Sequence, residues 1–264
     1  MEDINPQFIA TVFFIFGILL GSFGNVVIYR LPLGKSVVSP RSRCQSCEKL
    51  IPWYHNIPIF SWVILRGKCY SCRAPFSIRY PLVELIMGIL FFFLYLRYNL
   101  QWITLEYGVF IFGLVIVTFI DFDHFLLPDI FTLSGIVIGL VGAFINPQRE
   151  FLDAFLGVLM GGGFLWLVAY IYWVIRKEEG MGGGDIKLLG WIGAVLGWKS
   201  IPFVILVSSV SGSVIGIAMM LKNKGNLKTV IPFGPYIVLG ALLYLFGNEE
   251  VTQWYTHLLF PSQP

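Results

Sequence analysis

Six stretches of this chain, near residues 7–29, 80–97, 103–120, 153–175, 203–221 and 231–247, run almost without charge for the length of a bilayer crossing, about 17–25 residues. Two weaker ones lie near 131–146 and 187–199. In hydrocarbon each backbone N–H and C=O must be satisfied within the protein, so a continuous apolar run folds as a helix. A membrane barrel would show alternation instead. The composition agrees: 57% of residues are hydrophobic and 12% charged, against about 25% charged in soluble domains. The expected fold is an all-α polytopic membrane protein with about eight transmembrane helices.

Lysine and arginine set the orientation. From Arg30 to Arg79 there are nine basic residues against one acid, Glu48, so this loop is expected in the cytoplasm. Alternating eight spans puts Arg176, Lys177, Lys187, Lys222, Lys224 and Lys228 on the same side and leaves Arg97, Arg149 and Lys199 outside. Both termini then lie outside. The first span does not read as a cleavable signal, since Glu2 and Asp3 precede it where a basic segment is required. The net charge of +3 is no argument for nucleic acid, and none is expected as a partner. Basic residues beside membrane spans meet lipid headgroups.

The loop 30–79 holds all four cysteines, as Cys44-Gln-Ser-Cys47 and Cys69-Tyr-Ser-Cys72. Two such pairs close a tetrahedral zinc site, although the 21 residues between them slightly exceed the usual gap. Disulfides and a thiol redox motif are the alternatives. A cytoplasmic loop disfavours the first, and no thioredoxin-like pattern supports the second. Some fifty residues make a poor core alone, so a metal staple has a structural task. Four thiolates leave no open position, so Cys44, Cys47, Cys69 and Cys72 predict structural and not catalytic zinc. His55, between the pairs, reads as a loop histidine.

Gly17 and Gly21 in the first span, and Gly157 and Gly161 in the fifth, have the spacing that lets membrane helices pack closely. Asn25 and Glu84 are polar groups inside spans, and each requires a partner.

Carboxylates cluster in two places. Asp121, Asp123 and Asp129 fall within nine residues at the end of the third span. Asp123 lies about 200° round a helix from Asp121 and so leaves its face. Asp129, after Pro128, is expected to cap the next helix. Asp185 follows Gly180-Met181-Gly182-Gly183-Gly184, a run through which another backbone could approach closely. On the charge-derived topology Asp121 and Asp185 reach one side at similar depth. Two carboxylates sharing a water and a proton are the arrangement of an aspartyl protease.

Together, Gly182 to Asp185, Asp121 with Leu127-Pro128-Asp129, Gly21 to Pro32, the two cysteine pairs, Ile78 to Leu85, Gly180 to Leu189 and Ile231 to Pro235 resemble the membrane aspartyl proteases that process type IV prepilins, over nearly the whole chain. The resemblance implies a bacterial cytoplasmic-membrane enzyme, multi-pass, with its active site facing the cytoplasm. It implies cleavage of the basic leader of prepilins or pseudopilins by Asp121 and Asp185, then N-methylation of the new terminus from S-adenosylmethionine. Residues 1–29 would form the first span, 30–79 the zinc-binding loop linked to methyl transfer, and 80–264 the peptidase core. Gly182, Gly183 and Gly184 would lie along the substrate, and Glu178 and Glu179 would attract its basic leader, which the loop 30–79 would repel. The residues holding the methyl donor are not legible in the sequence; Asn25 and Glu84 are candidates. A peptidase without methyl transfer is the alternative within the family. A proton-coupled transporter or a zinc-loop scaffold would be the alternatives outside it.

Overall fold

The computed structural model describes residues 5–178, 182–222 and 231–259. Nine α-helices occur among them: α1 (Pro6–Arg30), α2 (Phe60–Ile64), α3 (Arg79–Tyr98), α4 (Trp102–His124), α5 (Asp129–Ile145), α6 (Phe151–Arg176), α7 (Gly183–Leu196), α8 (Ser200–Lys222) and α9 (Gly234–Leu259). Apart from the short α2, they are the eight apolar segments expected from sequence. Five of them, α1, α3, α4, α6 and α8, are long and apolar enough to cross a bilayer. α5 and the Gly234–Gly247 part of α9 are apolar but shorter. No β-strand forms among the described residues beyond two isolated bridges.

The chain divides into two compact units. One runs to Thr104 and includes Ile111–Ile116; the other comprises Leu105–Phe110 and the chain from Val117 onward. In the first unit, α1 starts on Pro6, with the Asn5 side chain accepting the Gln7 N–H at 2.9 Å. It lies against α3 with no room for side chains at the crossing. A Cβ on Gly17 would stand 2.7 Å from the Met87 carbonyl oxygen, and one on Gly21 2.7 Å from Glu84 Cα. The small-residue spacing is thus a packing device, as expected. Asn25 finds its partner on the same helix pair, donating from Nδ2 to the Tyr80 carbonyl at 3.0 Å.

In the second unit α7 is the inner element. Leu188 through Val195 are all buried, so this part of the helix is apolar all round and shows no amphipathic stripe. Its 14 residues span about 21 Å, less than the ~30 Å hydrocarbon core. α6 lies along it through Gly157, whose Cβ would run into the Gly193 carbonyl, and Gly161, whose Cβ would stand 2.5 Å from that of Leu189. α5 crosses it with Gly135 against Trp191 and Gly139 against Ala194. Phe203 of α8 and Tyr244 of α9 meet at 5.9 Å.

A largely buried ion pair closes one end of this unit. Arg149 reaches Glu106 at 3.4 Å and also donates to the carbonyls of Gly139 (3.1 Å) and Ala194. Asn146 donates to the same carboxylate at 3.2 Å. Arg149 was one of the three basic residues off the expected side; its charge is spent on holding α4, α5 and α7 together, where membrane-surface potential has little hold on it. Large apolar side chains cover the outside, as lipid-facing surfaces require. On α6, Trp166, Tyr170 and Trp173 form an exposed ladder that ends with Lys177 Nζ 4.8 Å above the Trp173 ring.

Candidate active site

The second unit brings together the end of α4 and the starts of α5, α7 and α9. Asp121 sits in the last turn of α4 and is 5% exposed. The Gly234 N–H, at the first position of α9, donates to Asp121 Oδ2 at 3.0 Å. The orphan amides of a helix N-terminus suit a carboxylate, and the helix dipole adds to the attraction. The approach requires glycine: a Cβ on residue 234 would stand 2.6 Å from Asp121 Oδ2. Asp185, in the first turn of α7, is near enough to Asp121 for the two carboxylates to act on each other electrostatically. Such a pair can share one proton and titrate as a unit.

Asp123 is helical but exposed, as its 200° offset predicted. Asp129 departs from expectation. It is the first residue of α5 and makes no cap; Pro128 holds the N-cap position without a side-chain bond. Its carboxylate instead takes the Lys187 ammonium at 2.6 Å. That pair ties the start of α5 to the start of α7, two residues beyond Asp185. Leu127, 7% exposed, does the same by packing: it would stand 2.9 Å from a Cβ on Gly184 and 3.2 Å from one on Gly234. Sequence reasoning gave no role to Gly234, Leu127 or Lys187. Ile231-Pro-Phe-Gly-Pro235 was the one available signal, and nothing local to it says that Gly234 faces an aspartate.

The glycine run divides by environment. A Cβ on Gly183 would meet nothing within 4 Å, and one on Gly182 only Asp185 Oδ2 at 3.9 Å. Gly184 is small because Leu127 fills the space beside it. Glu178 is exposed, just past the α6 C-cap Lys177, whose φ is +58°. Glu179, Gly180 and Met181 lie outside the described residues.

The cysteines gather in the first unit. Each pair heads a tight turn closed by its first cysteine: Cys44 N–H to Lys49 O (3.0 Å) and Cys69 N–H to Ala74 O (2.8 Å). Glu48 and Arg73 take equivalent left-handed positions, φ +57° and +62°, so the two turns are copies of one design. All four Sγ atoms lie within 4.8 Å of one another, and Cys44 and Cys72 are 3.7 Å apart. A tetrahedral zinc with Zn–S bonds of ~2.3 Å sets its sulfurs about 3.8 Å apart, so the tetrad fits the ion. The electrostatics agree. Backbone N–H groups, first that of Cys47, draw the Cys44 thiol down to about 6 against the effect of burial. Cys72 is pushed up to about 11 by burial and the other three sulfurs, against the lowering effect of the Ala74 backbone. Four sulfurs this close ionise together only around a cation. His55 stands outside the tetrad, its ring 4.7 Å from that of Tyr54 and 4.9 Å from that of Tyr70.

Two family models match the chain. Residues 15–98 match the model of the bacterial peptidase A24 N-terminal domain, and residues 108–217 that of the type IV leader peptidase family. A prepilin leader peptidase/N-methyltransferase of Aeromonas hydrophila is 36% identical over 95% of this chain and 94% of its own length. One from Myxococcus xanthus is 41% identical over 81% of this chain and 64% of its own length. One from Pseudomonas aeruginosa is 35% identical over 90% of each. No solved structure matches the chain. An all-helical membrane fold, a four-cysteine cluster and likeness along almost the whole sequence lead to one conclusion: the chain belongs to the type IV leader peptidase family.

Proposed function

We propose that this protein cleaves the basic leader from type IV prepilins or pseudopilins with Asp121 and Asp185, and then methylates the amine it has exposed. The observation that carries the reading is a buried Asp121 held by the Gly234 N–H, with Asp185 near enough to interact with it electrostatically. One carboxylate takes a proton from water as the water oxygen adds to the scissile carbonyl. The other gives its proton to the departing nitrogen, and the C–N bond breaks. The products are the leader's carboxylate and the free amine of the mature chain. Open space at Gly182 and Gly183 supports an extended substrate backbone beside the dyad, and Glu178 and Glu179 would attract the basic leader.

S-adenosylmethionine would supply an electrophilic methyl group to that amine. Cys44, Cys47, Cys69 and Cys72 would hold a structural zinc that fixes the loop 30–79. The protein would sit in the bacterial cytoplasmic membrane, and the lysine and arginine bias supports an active site facing the cytoplasm.

The test is leader cleavage by purified protein in liposomes. Asp121→Asn and Asp185→Asn should each lower the rate by at least about a thousandfold, and Glu178→Lys with Glu179→Lys should raise KM for a basic-leader substrate. Near-normal cleavage by either Asn variant overturns the dyad, and an unchanged KM overturns the leader contact.

A further inference from the structure

The first unit contains a cavity of about 640 Å³ between α1, the cysteine loop and the start of α3. That is within the roughly 300–1,000 Å³ of small-molecule sites. The carboxylate pair lies elsewhere, and of the cysteine tetrad only Cys44 borders the cavity. Resting on the reading of this chain as a methyltransferase, we propose that this cavity is the binding site of the methyl donor, S-adenosylmethionine, with His55 a polar contact to it.

Buried polar side-chain atoms in the described structure are nearly all paired, and the exception lines this cavity. His55 Nδ1 is buried and has no hydrogen-bond partner. Native interiors satisfy almost all such atoms, so an orphan on a side chain that lines a cavity points to a partner that arrives with a ligand. Tyr54 and Tyr70 pack on the imidazole ring and fix its position.

The remaining lining matches an adenosyl sulfonium amino acid part by part. Glu84, 7% exposed, is anchored by the Ile59 N–H at 2.7 Å and puts a carboxyl group in the wall for the sulfonium. Tyr29, Trp62 and Tyr80 supply aromatic faces, which suit both a cation and an adenine ring. Lys35 already stands 5.7 Å above Tyr29, so that face accepts a positive group. Arg41, Arg43 and Lys68 also line the cavity and suit the amino acid's carboxylate. Arg30 does not compete, since its guanidinium holds the carbonyls of Ser36 and Pro40 at 3.1 and 2.8 Å. The same basic residues disfavour the basic leader peptide as occupant.

The experiment uses the full zinc-loaded chain in detergent micelles and methyl-labelled S-adenosylmethionine as probe. Ultraviolet cross-linking and peptide mapping should put the label within residues 22–84. Equilibrium binding should weaken at least tenfold in His55→Ala, and likewise in Val26→Trp, which fills the cavity from α1. Zinc content and gel-filtration profile check that each variant is folded. Label mapping to residues from 117 onward, or wild-type affinity in both variants, overturns the location. If wild type transfers methyl to a cleaved substrate while both variants bind normally, the location alone fails. If wild type neither binds the donor nor transfers methyl, the methyltransferase reading falls with it.

Discussion

A carboxylate buried at the end of an apolar helix persists only if something donates to it. For Asp121 the donor is a backbone amide 113 residues away in sequence, and the distance is short because residue 234 has no side chain. Gly234→Ala should therefore shift the carboxylate or break its bond to the amide. We expect cleavage to fall at least about a hundredfold, the scale on which misplacement by ~1 Å acts, with kcat affected more than KM. Leaving this buried acceptor unpaired costs about 1–3 kcal/mol, so a thermal midpoint measured beside the rate checks that the variant is folded. Normal kcat in a folded Gly234→Ala would show that the bond does not position Asp121. Residue type announced Asn25 and Glu84 as polar groups in need of partners; their partners, the Tyr80 carbonyl and the Ile59 N–H, came only from packing. Asp129 was misread for a related reason. After Pro128 it has the local context of a cap, but Lys187, 58 residues on, wins its carboxylate.

At the scale of elements, α7 carries Asp185 and is gripped by neighbours through glycines. The Gly157–Gly193 crossing is so tight that a side chain on either would strike the other's carbonyl. Gly157→Val should force α6 and α7 apart at a cost of about 1–3 kcal/mol, typical of overpacking. The thermal midpoint should drop, and cleavage should fall through the moved Asp185. Gly163 offers the control: on the same helix, a Cβ there would meet nothing within 4 Å, so Gly163→Ala should leave the midpoint within a degree or two. An equal drop in both variants would mean that the crossing is not the cause. The long apolar runs made α1, α3, α4, α6, α8 and α9 legible because their length is itself the signal. α7 read weakly because it is short and enclosed.

For the molecule as a whole, the two units call for separate sources of stability. The second rests on helix packing and the largely buried Glu106–Arg149 pair. The cysteine loop of the first has little regular structure beyond α2 and two short turns, so its order should depend on metal. Chelation at neutral pH should release one zinc per chain and make residues 35–78 sensitive to protease, with α5 to α9 still resistant. Cys44→Ser should give the same pattern without chelator. A loop that stays resistant after the metal is gone would show that zinc is not its staple.

What the sequence alone determined is whatever is written locally: the helical class and placement of the spans, the cysteine pairs, the glycine crossings, and which carboxylates sit in apolar surroundings. Segment length, composition and residue chemistry carry these without reference to the rest of the chain. Tertiary structure decided the partnerships. Gly234 with Asp121, Leu127 against Gly184 and Gly234, Lys187 with Asp129, Arg149 with Glu106, and the cavity that His55 helps to line all join residues far apart in sequence. Each depends on how closely two helices or a loop can approach, and close packing sets that distance only once the whole unit has folded.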